Sequence, residues 1–287
     1  VTTLFALTRA LHFASVMAIF GAAALAFLAR QPRNDPTLRK PLGIAALVAL
    51  ATAVLSLCLT TGEMTGVPEA SYDVFSVATV VAQTFYGNVF LVRIALLIGL
   101  SLLCVADARP GLKALTAGLA LALLGLTSHA AAAGEARYEY ARAAIDALHL
   151  LGAGFWIGGL VALLPAIFAR PRDAVKLVAL LRLFSFYGAI AVAILIVAGT
   201  LNGVAILDVR GMAWSNTYLT WLAVKLVLAG VMIALALTNR FGVVPALARG
   251  EADAQDTIPL TVLAELGCAA LILLAVGVLG LTSPMQM

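Results

Sequence analysis

Charge is scarce in this chain. Asp, Glu, Lys and Arg make up 11% of its 287 residues, while 63% are hydrophobic. A soluble domain carries about 25% charged and about 45–50% apolar residues. So large an apolar excess does not fit inside one water-soluble core, which excludes a soluble enzyme, a nucleic-acid module and a disordered scaffold. The formal net charge of +4 is no nucleic-acid footprint either, because the basic residues gather in short loops between apolar stretches. Cysteine is nearly absent: Cys58, Cys104 and Cys268 lie far apart without CxxC spacing, so neither a disulfide framework nor a thiolate metal site is expected. There is no GxxxxGK[ST] phosphate loop, no HExxH and no Ser-centred nucleophile elbow. The reading is of a protein that is not an enzyme and does not hydrolyse nucleotides.

What is abundant is long apolar runs. A hydrocarbon core about 30 Å thick needs roughly 20 residues of helix, and eight stretches qualify, near residues 4–29, 42–62, 86–106, 113–133, 144–168, 184–207, 218–239 and 260–282. Tyr72–Phe85 is too short to span; Val74, Val77, Val80 and Val81 would give it one apolar face, as an interfacial helix has. Lys and Arg concentrate after the first, third, fifth and seventh stretches: Arg30, Arg33, Arg39 and Lys40; Arg109 and Lys113; Arg170, Arg172, Lys176 and Arg182; Arg240 and Arg249. The opposite loops are acidic or mixed. Basic loops stay cytoplasmic, so both termini are expected outside, on the periplasmic side. Ala22, Ala24 and Ala26 resemble a signal-peptide cleavage pattern. The long first run and its later counterpart favour its retention.

That counterpart belongs to an internal repeat. Leu11-His12 is followed nine residues on by Gly21, and Leu148-His149 nine residues on by Gly158. Thr84-Phe85-Tyr86-Gly87 precedes Arg93 much as Thr217-Tyr218-Leu219 precedes Lys225. Leu124–His129 and Leu279–Pro284 share the string LGLTS. The expected fold is all-α: a polytopic membrane protein of eight transmembrane helices in two tandem four-helix repeats, residues 1–133 and 144–287. An even number of spans per repeat gives both the same orientation, with a pseudo-twofold along the membrane normal.

Ionisable residues inside spans are costly and usually functional. The repeat sets His12 and His149 at equal depth near the outer face, with His129 on the same side. Imidazole is the commonest metal ligand, and a ligating histidine needs an orienting partner. Asp146 shares the helix face of His149 and either orients it or pairs with Arg9, its counterpart before His12. Met17, Met64, Met212, Met285 and Met287 bias toward the outer side, and thioethers with imidazoles suit copper, especially Cu(I). Glu63 is a further outer candidate ligand. Each methionine also reads as a gap filler, and the histidines as hydrogen-bonded packing residues. Arg93 and Lys225 are expected to snorkel outward. Asn202, Thr60 and Thr61 line a polar region or bond across helices, and Trp156, two turns after His149, walls a cavity. Gly154 with Gly158, and Gly199 with Gly203, have the spacing of close helix contacts. Glu265 has no evident partner.

Residues 147–160, ALHLLGAGFWIGGL, resemble the H-x6-W-x-G-G-L signature of the CopD (PcoD) family of bacterial copper resistance and copper uptake proteins. Arg182–Ser185 with Gly199 and Asn202, and Tyr218 to Lys225 with Asn239-Arg240 and Pro245, resemble its next two blocks, so the similarity runs over residues 147–245. One departure is Leu219, where the family has glycine. The resemblance implies an inner-membrane protein that accepts copper, as Cu(I) or Cu(II), from a periplasmic partner of the CopC type and passes it inward. His149, Trp156 and His12 would be its family residues. The rival readings are a b-type haem protein with His12 and His149 as axial ligands, and a metal-binding sensor or scaffold without transport.

Overall fold

In hydrocarbon no water satisfies a free N–H or C=O, so a spanning segment closes its hydrogen bonds within itself as a helix. The computed structural model describes residues 2–127, 139–208 and 216–282, and shows no strand among them. The helices are α1 (Thr2–Leu28), α2 (Pro36–Thr65), α3 (Val74–Gln83), α4 (Phe85–Val105), α5 (Pro110–Gly125), α6 (Glu139–Phe168), α7 (Ala174–Asp208), α8 (Asn216–Thr238), α9 (Val244–Ala248) and α10 (Ala252–Leu279). A 3-10 turn, Pro68–Ser71, precedes α3, and a π-helical segment, Asn239–Val243, joins α8 to α9. Seven of these stretches are long and apolar enough to cross a membrane. The protein is an all-helical, multi-pass membrane protein.

Local chemistry sets the helix starts. Asp35 caps α2, accepting from the Thr37 N–H at 3.0 Å, and Pro36 occupies a first-turn position where its missing N–H costs nothing. The expected fourth span, 113–133, begins earlier, at Pro110, and its described helix ends at Gly125; Leu126 and Thr127 form a turn, and residues 128–133 lie outside the described residues. Helix α7 starts at Ala174 rather than near 184, with Asp173 accepting from the Lys176 N–H at 2.9 Å. Lys176 and Arg182 are therefore helical rather than loop residues, because a capped helix continues past its apolar stretch.

The segment between α2 and α4 is helical as its valines suggested. Val80 is buried, with Val77 and Val81 packed on the core, but Val74 points away and is exposed. Asp73 caps α3: its Oδ2 accepts from the Ser76 N–H at 2.9 Å and the Ser76 hydroxyl at 2.6 Å.

Helix α1 is central, packing against α2, α5, α6 and α10. Its decisive contact is with α6, where Gly21 meets Gly154 and Gly158. A methyl added at Gly158 would lie 2.7 Å from Gly21 Cα and closer still to the Met17 carbonyl. Ala22, Leu25 and Ala26 line a cavity with Ala162, Pro165 and Ala166 further along, so the two helices run parallel. The buried side chains fall into two groups. One is built mainly on α1, α2, α4 and α5; the other on α6, α7, α9 and α10. Helix α7 packs on α6 and α8 on α10, and a cleft opens between α7 and α8. Gly199 faces His149, whereas a side chain at Gly203 would meet nothing within 4 Å, so only the first of that pair is a contact.

Two outcomes follow from these contacts. Gly158→Val should destabilise the bundle by about 2–3 kcal/mol, as overpacking against backbone does, while Gly203→Ala should leave thermal unfolding in detergent unchanged. Hydrogen bonds from the Ser76 hydroxyl and N–H hold the Asp73 carboxyl below the usual carboxylate range. The cap is therefore fully present above that range and is lost as pH falls through the depressed value. Amide exchange in α3 should accelerate in acid, and Asp73→Ala should abolish that pH dependence.

Candidate functional site

The nine-residue spacing from each histidine to its glycine acquires a physical meaning in the bundle. Gly21 and Gly158 touch, and the helices are parallel, so His12 and His149 both lie about 13 Å from the crossing toward the end where α1 and α6 begin. Their side chains engage different neighbours.

His12 is 5% exposed and faces α2 and α4. Its Nδ1 lies 3.1 Å from the Ala49 carbonyl and 3.1 Å from Thr52 Oγ1. A carbonyl only accepts, so Nδ1 carries the proton; Thr52 gives its own hydroxyl hydrogen to Val48 O at 2.6 Å. The lone pair is then on Nε2, where it accepts from Arg93 Nη2 at 2.7 Å. His12 is thus a neutral imidazole with both nitrogens engaged. Arg93 does not snorkel: it is 6% exposed and occupies the position a metal would take on that nitrogen. The reason is energetic, since a buried imidazole lone pair is costly to leave unsatisfied.

His149 packs against Gly199 of α7; a methyl on that glycine would lie 3.3 Å from the ring. Among the described residues its buried Nδ1 has no hydrogen-bond partner within bonding geometry, while the Leu195 backbone of α7 and Lys225 of α8 both lie near enough to act on the ring. Asp146, one turn before it, accepts from Asn202 Nδ2 at 3.3 Å and is within electrostatic reach of both Arg9 and Lys225. Arg9 lies against the backbone of Gly280, and its Nε has no partner among the described residues. Glu63, at the end of α2, is also within reach of Arg9. Tyr86 donates to Thr60 Oγ1 at 3.5 Å. Around the two histidines, among the described residues, three cations (Arg9, Arg93 and Lys225) thus face the carboxylates of Asp146 and Glu63.

Met17 is buried in the helix crossing, its Cγ near where a methyl on Gly154 would lie. Met64 is exposed on the last turn of α2. His129, Met212, Met285 and Met287 lie outside the described residues. Among the described residues no three His, Cys, Asp or Glu side chains gather closely enough to hold a metal. His12 and His149, turned to different flanks, offer no pair of free imidazoles to a single haem.

A second polar centre escaped the sequence reading. Glu265, in the middle of α10, is 1% exposed and does have partners. Its Oε2 accepts from the Trp156 indole N–H at 3.2 Å and its Oε1 from Asn239 Nδ2 at 2.8 Å. Thr261 donates to Asn239 Oδ1 at 2.7 Å. Trp156 does wall a cavity, of about 180 Å³, which Glu265, Asn239, Arg240 and Ser185 share. The available signal was a buried carboxylate's need for donors, with Trp156 and Asn239 the polar residues at comparable depth.

Two family models match the chain: that of the copper resistance protein D-like N-terminal domain over residues 1–138, and that of copper resistance protein D over residues 178–279. His149 and Trp156 fall between the two. Copper resistance protein D of Pseudomonas syringae pv. tomato is 33% identical over 299 residues, spanning 98% of this chain and 95% of that protein. Inner membrane protein YebZ of Escherichia coli (strain K12) is 28% identical over 289 residues, spanning 96% and 97% respectively. No solved structure matches. With near-complete coverage at that identity, and with helices where the family's blocks were recognised, the chain belongs to the copper resistance protein D family.

Proposed function

We propose that this protein is a carrier of the inner membrane, not an enzyme, that accepts copper at the periplasmic end of the bundle and passes it toward the cytoplasm. The basic loops at the far end support an orientation with both termini periplasmic. A soluble copper-binding protein of the CopC type would supply the metal. The observation that carries the reading is the buried Nδ1 of His149, which no side chain among the described residues engages, in a chain of this family. Imidazole is a good ligand for copper in either oxidation state. The cationic surroundings oppose a doubly charged ion more strongly than a singly charged one, which favours Cu(I). His12, held by Arg93, serves as a second ligand only when that guanidinium moves aside; Met64 and Glu63 are the remaining described candidates at this end, and His129, outside the described residues, is a further candidate ligand.

The decisive measurement is element-resolved metal content of the purified protein after exposure to Cu(I), beside His149→Ala. Copper affinity should fall at least roughly tenfold, the loss expected when a ligand shell is disturbed. Unchanged copper in the variant would refute the ligand assignment. Copper accumulation in vesicles then separates a carrier from a protein that binds without moving its cargo.

A further inference from the structure

Glu265 raises a question that copper does not answer. Both donors to its carboxyl are neutral, and among the described residues no Lys, Arg or His nitrogen approaches it within ion-pair distance. An ionised carboxylate buried without a countercharge is strongly disfavoured. The other charged residue on the cavity wall, Arg240, is turned to Ser185, donating to its carbonyl at 2.7 Å and to its hydroxyl at 3.3 Å, and lies over the Phe241 ring. From α6 and α7 the cavity receives Trp156 and Ser185, and from α9 and α10 Val244 and Val262; none of these carries a charge. The donor set is an acid, an amide, an indole and hydroxyls. It contains no sulfur or imidazole and does not suit Cu(I).

The hydrogen bonds around Asn239 close equally well in two arrangements. With Glu265 ionised, Asn239 Nδ2 donates to Oε1 and its Oδ1 accepts from Thr261. If the amide turns over, Oδ1 accepts from a protonated Oε1–H and Nδ2 donates to Thr261 Oγ1. The Thr261 hydroxyl then gives its hydrogen to the Ile258 carbonyl, 3.1 Å away. A hydroxyl both donates and accepts, so no polar atom of the relay is stranded in either state. Asn239 opens a π-helical segment, a local departure that recurs at functional sites.

We propose that Glu265, with Asn239 and Thr261, is a proton-binding site in the membrane interior, reached through the cavity between α7 and α8. On loading, an O–H bond forms at Oε1 as one breaks in a hydronium ion entering by that cavity; a water is released and no electron changes hands. The amide turn of Asn239 accompanies the transfer. The inference rests on this geometry alone and is independent of the copper reading.

The test is infrared difference spectroscopy of the purified, copper-free protein between mildly acidic and mildly alkaline pH. The wild type should show the C=O stretch of a water-shielded carboxylic acid, its amplitude changing with pH. Glu265→Gln, which keeps an acceptor for Trp156, should lose that band entirely, while Asp146→Asn should retain it. Should Glu265→Gln fail to fold, Glu265→Asp serves in its place and should move the band without abolishing it. A wild type with no titrating band would overturn the proposal, as would a band that survives Glu265→Gln or is unmoved in Glu265→Asp.

Discussion

The contact between α1 and α6 fixes where the other helices can stand. Lipid offers no hydrophobic drive for helices to associate, so close backbone packing has to supply much of the attraction. Gly21, Gly154 and Gly158 let the two backbones touch, and neither helix can rotate or slide there without a clash. Helices α2, α5 and α10 pack onto α1, and α7 packs onto α6. The rotation set at the glycines therefore decides that His12 turns toward α2 and α4 while His149 turns toward α7.

Polar groups inside the bundle solve the same problem in two ways. Near one end, cations outnumber carboxylates among the described residues, and the neutral His12 takes up part of the hydrogen bonding: Arg93 donates to His12, and Asn202 reaches Asp146. Near the middle, a lone carboxyl is held by neutral donors beside a cavity. Helix α6 belongs to both, because His149 and Trp156 sit two turns, about 10 Å, apart on it. A rigid helix pinned at Gly158, just beyond Trp156, holds the two centres at constant separation.

Much of this was legible in the residue pattern. Long apolar runs gave the helices, and the recurrent interval from histidine to glycine marked Gly21 and Gly158 as equivalent positions of a repeat, without showing that they meet. Gly154 and Gly158 were readable as a close contact because small residues four apart have few other uses in a span. What was not legible depended on side-chain direction. Arg93 looked like a residue able to reach water, yet a neighbouring imidazole lone pair holds it inside. Glu265 looked isolated because its partners come from α6 and the π-helical segment, far away in sequence. Helix ends were extended by caps such as Asp173, which hydropathy does not register.

The position of α1 also bears on how the chain is made. Segments fold in the order in which they are synthesised, and α1 precedes every helix it packs against, yet it occupies the centre. Arg9 comes to rest against Gly280 and Ala6 against Gly277, both at the far end of α10, so a helix made long after α1 completes its surroundings. Until then the cation and the imidazole of α1 sit in a membrane without their full protein casing, sheltered by α2 and α4 as those arrive. Assembly is thus a closing of later helices around an earlier one. A chain cut short before α10 would lack the backbone on which Arg9 and Ala6 rest, which makes α10 the step that closes the surroundings of α1.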